Sequence, residues 1–165
     1  MIKHMRTDTR MIHGQVATSW MNTIGAKEII VCNDAASKDK IMCMALPLAA
    51  RGTPVKVLSI DDTVKYCEEH EADTLFVICR YASDALELLK RGLKPAEFNV
   101  GTNAPVNGSD GKPAKPLTNF VYCNVDQAKD FMAIAEFFDG KLTSQITPAN
   151  SPEDIVASIK KQGLA

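Results

Sequence analysis

The chain has 165 residues, of which 45% are hydrophobic and 24% are charged. This composition predicts one ordinary globular domain spanning residues 1–165 and argues against a disordered or fibrous protein. Nineteen basic and twenty acidic side chains give a net charge of -1, without the positive excess that non-specific nucleic-acid binding requires. Neither a membrane-spanning apolar run nor the apolar region of a signal peptide is present in the sequence. We therefore expect a cytoplasmic protein with no direct membrane insertion.

Apolar runs alternate with helix-like stretches along the chain. The first strand is expected over residues 1–7, although Lys3, His4 and Arg6 interrupt its apolar character. Apolar, partly β-branched runs predict five more strands, at 28–32, 55–59, 74–79, 98–101 and 119–123. Glycines suited to a left-handed helix end, at 25, 92 and 140, predict helices over 15–24, 83–91 and 125–139. Ser151 as the cap and Pro152 in the first turn predict a last helix over 152–161.

This alternation predicts the fold class. Short buried strands separated by helices form right-handed βαβ units, so we expect an open α/β fold with a mostly parallel twisted sheet and helices on both faces. Ligands of such sheets bind beyond the carboxyl ends of the strands. The segment 102–118 is rich in Gly, Pro, Asn and Lys. It is either a functional loop, or a hairpin or flexible connection at the surface, and the sequence leaves its role open.

Several cysteine, tryptophan and methionine residues could be mistaken for functional residues but are expected to pack in the core. The cysteines are odd in number and lack a C-x-x-C pair, which favours reduced core residues over disulfides or a zinc site: Cys32, Cys43, Cys67, Cys79 and Cys123. Trp20 lies on an inward stripe with Val16 and Ile24. Packing is also expected for a second cluster, with an adaptable docking surface as the alternative: Met42, Met44, Ala45, Leu46 and Leu48.

The segment after the first strand carries the candidate chemistry. His13 stands at the start of a helix, whose positive end favours a neutral, nucleophilic imidazole and a phosphoryl group once one is attached. Gly14 allows close approach of the backbone to an anion, and Gln15 adds an amide donor. Arg10 could hold phosphoryl oxygens with its guanidinium fork. Asp8 could orient either His13 or Arg10.

Other polar residues are weaker candidates. His4 is expected to be satisfied within the core, and His70, in an acidic run, is expected to be solvated. Arg80 follows a buried strand, so it could bind phosphate, lie on a docking face, or simply be solvated at a helix start. Asp34 is a weaker candidate than Arg80.

The string D-x-R-M-I-H-G-Q-V at residues 8–16 resembles the D-x-R-L-I-H-G-Q-V active-site segment of a known family. That family is the IIB components of mannose/fructose/sorbose-type sugar phosphotransferase systems. Further segments extend the resemblance over nearly the whole chain: IIVCND, FVICR, EFNVG and FVYC. The family often has a second Asp where this chain has Thr9, so the resemblance assigns no role to Thr9.

The resemblance implies a phosphotransferase that acts as a phosphocarrier. The histidine matching His13 would accept a phosphoryl group from a IIA component and transfer it to a sugar, a hexose or amino sugar, during uptake through the IIC and IID membrane components. The protein would be cytoplasmic and peripherally associated with that permease. The mechanism requires no cofactor or metal. The sugar and the oligomeric state stay open, although the fragments at 22–26 and 76–80 resemble the N-acetylgalactosamine branch.

Two other functions remain as alternatives. A histidine phosphatase would lose its phosphoryl group to water, but such enzymes resemble Arg-His-Gly at the nucleophile, whereas Ile12 precedes His13 here. A small α/β regulatory domain could use His13 merely to cap a helix. Failure to accept phosphate from any cognate IIA protein would favour the second alternative.

Overall fold

The computed structural model describes all residues, 1–165. The helices are α1 (Gly14–Ile24), α2 (Asp34–Lys38), α3 (Lys40–Ala49), α4 (Ile60–Glu69), α5 (Ala82–Lys90), α6 (Val125–Glu136) and α7 (Ile155–Lys161). The longer strands are β1 (Ile2–Thr7), β2 (Glu28–Cys32), β3 (Val55–Leu58), β4 (Leu75–Cys79) and β5 (Phe98–Val100). Four two-residue strands complete the set: β6 (Lys115–Pro116), β7 (Tyr122–Cys123), β8 (Thr143–Ser144) and β9 (Glu153–Asp154).

Seven strands form one mostly parallel sheet in the order β3-β2-β4-β1-β5-β8-β9. Only β9 runs antiparallel to its neighbour. The central strand β1 lies between β4 and β5, and Thr7 at its end pairs with both Cys79 and Val100. The carboxyl ends of these three strands therefore meet at one level, and the loops that follow them share one edge of the sheet.

Helices cover both faces of the sheet, as predicted. One core of 23 buried residues includes side chains from α4, α5, α6 and α7, and a second core of 12 includes side chains from α1, α2 and α3. The helices that follow the neighbouring strands β1 and β4, α1 and α5, thus lie on opposite faces of the sheet. Such a divergence is the topological switch point at which open α/β sheets bind ligands. The fold is the predicted single α/β domain.

The strand predicted over 119–123 is wrong in extent and in placement. Only Tyr122 and Cys123 form a strand, and they pair with Lys115 and Pro116 in a separate antiparallel sheet. The backbone of Asn103 bonds to Phe120 and Tyr122, which holds this run beside the 102–118 segment rather than in the main sheet. β8 instead takes the place next to β5, where the Ser144 hydroxyl donates to the Val100 carbonyl at 2.8 Å. The end of the 102–118 segment therefore forms one strand of a short hairpin with Tyr122 and Cys123.

The predicted start of the last helix is also wrong. The helix begins at Ile155, and its cap is Asp154, which accepts a hydrogen bond from the Ala157 N–H at 3.0 Å, rather than Ser151. Residues 153 and 154 pair with β8, and a residue committed to a strand ladder cannot also belong to a helical turn. Gly25 and Gly92 lie at the ends of α1 and α5 with positive φ values, as predicted. Gly140 also has a positive φ, but the helix predicted over 125–139 already ends at Glu136.

Core predictions held for most apolar residues but not on α3. Trp20 is 5% exposed, four of the five cysteines are buried, and Cys43 is half-buried; all five are free thiols. Within the methionine-rich cluster only Leu46 is buried, whereas Met44 and Leu48 are 72% and 80% exposed. They share one face of α3 with exposed Ile41, so packing was the wrong prediction for that face. No helix in the structure combines the length and apolarity that crossing a membrane would need.

Candidate active site at the start of helix α1

His13 lies outside the core because its neighbours are anchored inside it. Met11 and Ile12 are 7% and 6% exposed and belong to the smaller hydrophobic core. Met11 adopts a left-handed φ of 62°, an uncommon conformation for a residue without glycine's freedom, and its N–H bonds to the Asp8 carbonyl at 2.9 Å. After this tight turn, His13 lies at the N-cap position of α1, and it is exposed.

The start of α1 has free hydrogen-bond donors. The His13 side chain does not cap the helix, and the first turn contains no acidic residue. First-turn N–H groups have no partner within a helix and carry its partial positive charge. The imidazole therefore stands beside a group of N–H donors suited to a phosphoryl anion.

Of the two residues that Asp8 was predicted to orient, the Asp8 carboxylate contacts Arg10 and not His13. The Asp8 carboxylate is 2% exposed and accepts the Arg10 backbone N–H at 2.9 Å. It also accepts Nε and Nη2 of Arg10 at 3.3 and 3.4 Å. No hydrogen bond joins Asp8 to His13. One edge of the Arg10 guanidinium is thus fixed, while its side chain stays 36% exposed and keeps donors for another anion.

Arg6 is a part of the site that sequence reasoning missed. It is 1% exposed, and its guanidinium donates to Asn99 Oδ1 at 3.1 Å and to the carbonyls of Gln145 and Ile146 at 2.6 and 3.0 Å. Asp8 Oδ2 lies 3.6 Å from Nη2. Burial lowers the pKa of Arg6 to about 10, against the opposing effect of the Asp8 charge, so Arg6 stays charged at neutral pH. The only sequence signal was a basic residue that interrupts an apolar strand.

A glycine after β5 makes room for this buried ion pair. A methyl group on the Gly101 α-carbon would lie 2.6 Å from Arg6 Nη2 and 2.7 Å from Asp8 Oδ2, well inside van der Waals contact. Thr9 ties the same two segments together, because its N–H donates to the Thr102 carbonyl at 2.9 Å and its hydroxyl accepts the Ala104 N–H at 3.1 Å. Thr9 is therefore a structural residue of the loop.

Gly14 and Gln15 both lie where the sequence placed them, at the start of α1. Gln15 is exposed and its side chain has no hydrogen-bond partner in the protein. Gly14 faces a residue that the sequence did not single out, Arg51. A methyl group at Gly14 would lie 3.0 Å from Arg51 Nε and 3.3 Å from its Cζ.

Arg80 occupies the same edge of the sheet but does not join the Asp8–Arg10 contacts. The Asp8 N–H donates to the carbonyl of Cys79, the residue before Arg80, at 2.9 Å. The guanidinium carbon of Arg80 lies 5.2 Å from the centre of the Tyr81 ring, and its buried Nε has no hydrogen-bond partner. Arg80 makes no hydrogen bond or ion pair with Asp8, Arg10 or His13. Asp34 serves the fold instead, since its carboxylate accepts the Ile60 N–H at 2.8 Å.

The rings of the other two histidines contact partners within the protein. His4 is 3% exposed, and its ring nitrogens lie 3.2 Å from Glu97 Oε2 and 3.1 Å from Asn99 Oδ1, as the sequence predicted. His70 is half-buried rather than solvated, because its ring stacks on Tyr66 at 3.8 Å and its Nδ1 lies 2.9 Å from the Tyr66 carbonyl. His13 is the one histidine whose ring is both exposed and free of protein partners.

Comparison with known proteins places the chain in a family. The family model described as the sorbose subfamily IIB component of the PTS matches residues 2–165. A probable phosphotransferase enzyme IIB component from Streptococcus pyogenes is 28% identical over 157 residues, which cover 92% of this chain and 94% of that protein.

Two solved structures share the fold over nearly their full length. The IIB domain of the sorbose permease from Klebsiella pneumoniae superposes with a TM-score of 0.85 at 28% identity, covering 98% of this chain and 97% of that one. The N-acetylgalactosamine-specific IIB component 1 from Escherichia coli gives a TM-score of 0.80 at 25% identity, covering 93% and 98%. Because the family model spans almost every residue, the chain belongs to the sorbose-subfamily IIB components of the phosphotransferase system and is a phosphotransferase.

Proposed function

We propose that this IIB component is a phosphocarrier in which His13 accepts a phosphoryl group from phospho-IIA and passes it to a sugar. The sugar would enter through IIC and IID membrane components, with the IIB chain cytoplasmic and bound at the periphery of that permease. The observation that carries the proposal is the exposed, unpartnered ring of His13 at an uncapped helix start, in the same loop as Arg10.

The transfer consists of two displacements at phosphorus. In the first, a ring nitrogen of neutral His13 attacks the phosphorus, a new N–P bond forms, and the N–P bond to the donor histidine breaks with its electron pair returning to the donor ring. In the second, a sugar hydroxyl oxygen attacks the phosphorus, a new O–P bond forms, and the hydroxyl proton passes to solvent. The N–P bond to His13 breaks with its electron pair returning to the ring, which restores the neutral imidazole. Both steps depend mainly on positioning and on stabilisation of the phosphoryl oxygens.

The residues around His13 fit that requirement. The N–H groups of the first turn of α1, with Gln15 and the exposed edge of Arg10, would bind the phosphoryl oxygens. Asp8 would hold Arg10 in position through its three hydrogen bonds. We also include Arg80 among the phosphate-binding residues, because it directly follows β4 at the same edge of the sheet.

A labelling experiment tests the assignment of His13. Incubation with phosphoenolpyruvate, the general phosphotransfer proteins and a cognate IIA should attach one acid-labile phosphoryl group per chain. His13→Ala should abolish the label, and His70→Ala, which removes the other ring outside the core, should retain it. Undiminished labelling of folded His13→Ala would refute the proposal. Loss of the label to water before any permease is added would favour a phosphatase.

A further inference from the structure

Arg51 is held in a strained turn next to the site. It follows α3 with a left-handed φ of 52°, and the next residue, Gly52, also has a positive φ, of 91°. This backbone conformation is unfavourable for residues other than Gly, Asn and Asp. The Arg51 N–H bonds to the Leu48 carbonyl at 3.3 Å, and the Thr53 N–H bonds to the Ala50 carbonyl at 3.3 Å. The turn therefore fixes the direction in which the Arg51 side chain leaves the backbone.

The guanidinium of Arg51 lies against the first residue of α1. Three of its atoms, Nε, Cζ and Nη2, come within 3.0 to 3.3 Å of the position that a Gly14 methyl group would take. Gly14 directly follows His13. A glycine at this position thus lets a cationic side chain from a different part of the chain rest against the start of α1.

The charge of Arg51 is not compensated within the protein. Arg51 is exposed, makes no side-chain hydrogen bond, and forms none of the six salt bridges. Arg6 and Arg10, in contrast, both contact the Asp8 carboxylate. A free guanidinium next to the positive end of an uncapped helix is electrostatically unfavourable unless an anion contacts both.

We propose that Arg51 binds the phosphoryl group carried by His13, as a second guanidinium in addition to Arg10. The inference rests on the proposed function of His13 and adds a residue to that site. Arg10 supplies a fork that Asp8 already orients, whereas Arg51 supplies a full positive charge and free donors. Arg51 would stabilise the phosphohistidine and the shared phosphoryl group during transfer.

Phosphoramidate, a small chemical donor of phosphoryl groups to histidine, makes the test independent of any partner protein. The full chain would be phosphorylated with phosphoramidate, and the phosphohistidine signal assigned by its loss in His13→Ala. The pKa of the phosphoryl group would then be measured by ³¹P NMR titration. A nearby guanidinium lowers that pKa, so Arg51→Gln should raise it by about 0.5 units if the contact is a partly exposed charge pair. Arg51→Lys should give a smaller rise.

Two further variants separate binding from folding and from net charge. Arg51→Gly removes the side chain and relieves the left-handed strain, so it should melt at or above the wild-type temperature and still raise the phosphoryl pKa. Arg91→Gln removes an equal charge from an arginine paired with Asp61 and Glu87 and should leave the titration unchanged.

The failures are distinguishable. If wild-type protein gives no phosphohistidine signal that His13→Ala removes, the proposed function fails and the role of Arg51 fails with it. If wild-type His13 is phosphorylated but the Arg51→Gln and Arg51→Gly titrations superpose on wild type, only the inference about Arg51 is overturned.

Discussion

Gly101→Ala should be unusually damaging for so small a change. Gly101 does not have a left-handed φ, so its backbone can accept alanine without strain. The added methyl group would nevertheless lie 2.6 Å from Arg6 Nη2, 2.7 Å from Asp8 Oδ2 and 2.8 Å from Arg6 Cζ. These atoms belong to side chains that are 1% and 3% exposed, so neither side chain can move aside into solvent.

The expected loss in the free energy of unfolding depends on how far Arg6 and Asp8 must move to admit the methyl group. Overpacking a core costs about 1–3 kcal/mol, and breaking a buried ion pair costs about 3–5 kcal/mol. Partial movement of Arg6 would lengthen its bonds to the Gln145 and Ile146 carbonyls without freeing its charge completely. We therefore expect a loss of about 3 kcal/mol in the free energy of unfolding, which lowers Tm by roughly 6–12 °C in a domain of this size. Movement of Asp8 would also release Arg10 and slow phosphoryl transfer.

Gly14→Ala is the matched control. The three atoms nearest to the methyl group there all belong to the exposed Arg51 side chain. This side chain can move aside, so the free energy of unfolding should change by less than about 0.5 kcal/mol. Urea and thermal unfolding followed by circular dichroism would measure both variants. If Gly101→Ala melts within the error of wild type, or if Gly14→Ala is equally destabilised, the description of the Arg6–Asp8 pair as tightly enclosed is wrong.

The remaining predictions concern Arg10 and His4. Arg10→Ala should slow single-turnover transfer from phospho-IIA by roughly a hundredfold, with Arg10→Lys intermediate because it keeps the charge but loses the fork; wild-type rates in both folded variants would make Arg10 structural. Burial lowers the pKa of His4 below 6.5, against opposing contacts with Asn99 and Glu97, so below that pH the unfolded chain binds more protons than the folded one. The free energy of unfolding should therefore fall as the pH drops from 6.5 toward the lower folded-state pKa, and His4→Gln should weaken this dependence. Urea unfolding across that range would test it, and identical pH dependence in wild type and His4→Gln would contradict it.

Local patterns were enough to predict the fold class and to select one loop as the candidate site. Strand and helix periodicity depends on near neighbours, so alternation predicted a parallel α/β sheet, and the motif at residues 8–16 identified His13, Arg10 and Asp8 as one segment. Their sequence proximity lets a single loop bring them together, as the hydrogen bonds between Asp8 and Arg10 show.

Long-range packing decided what the local patterns could not. Ser151 and Pro152 form a good local helix start, yet pairing of residues 153 and 154 with β8 moved the start to Ile155. In the same way, hydrogen bonds to Asn103 removed the 119–123 run from the main sheet. A local propensity of about 1 kcal/mol is outweighed when a ladder and a buried side chain favour another arrangement.

The residues that surround the His13 loop depended most on tertiary structure. Arg6 is an unremarkable basic residue in the sequence, and only burial against Asp8, with Gly101 leaving room for both, makes it part of the site. Arg51 is distant from His13 along the chain and reaches Gly14 because α3 packs on the same face of the sheet as α1. Sequence determined which segment carries the proposed nucleophile, because the residues of that motif are adjacent in the chain. The fold determined which charges lie around that segment, because those charges come from strands and helices that only packing brings together.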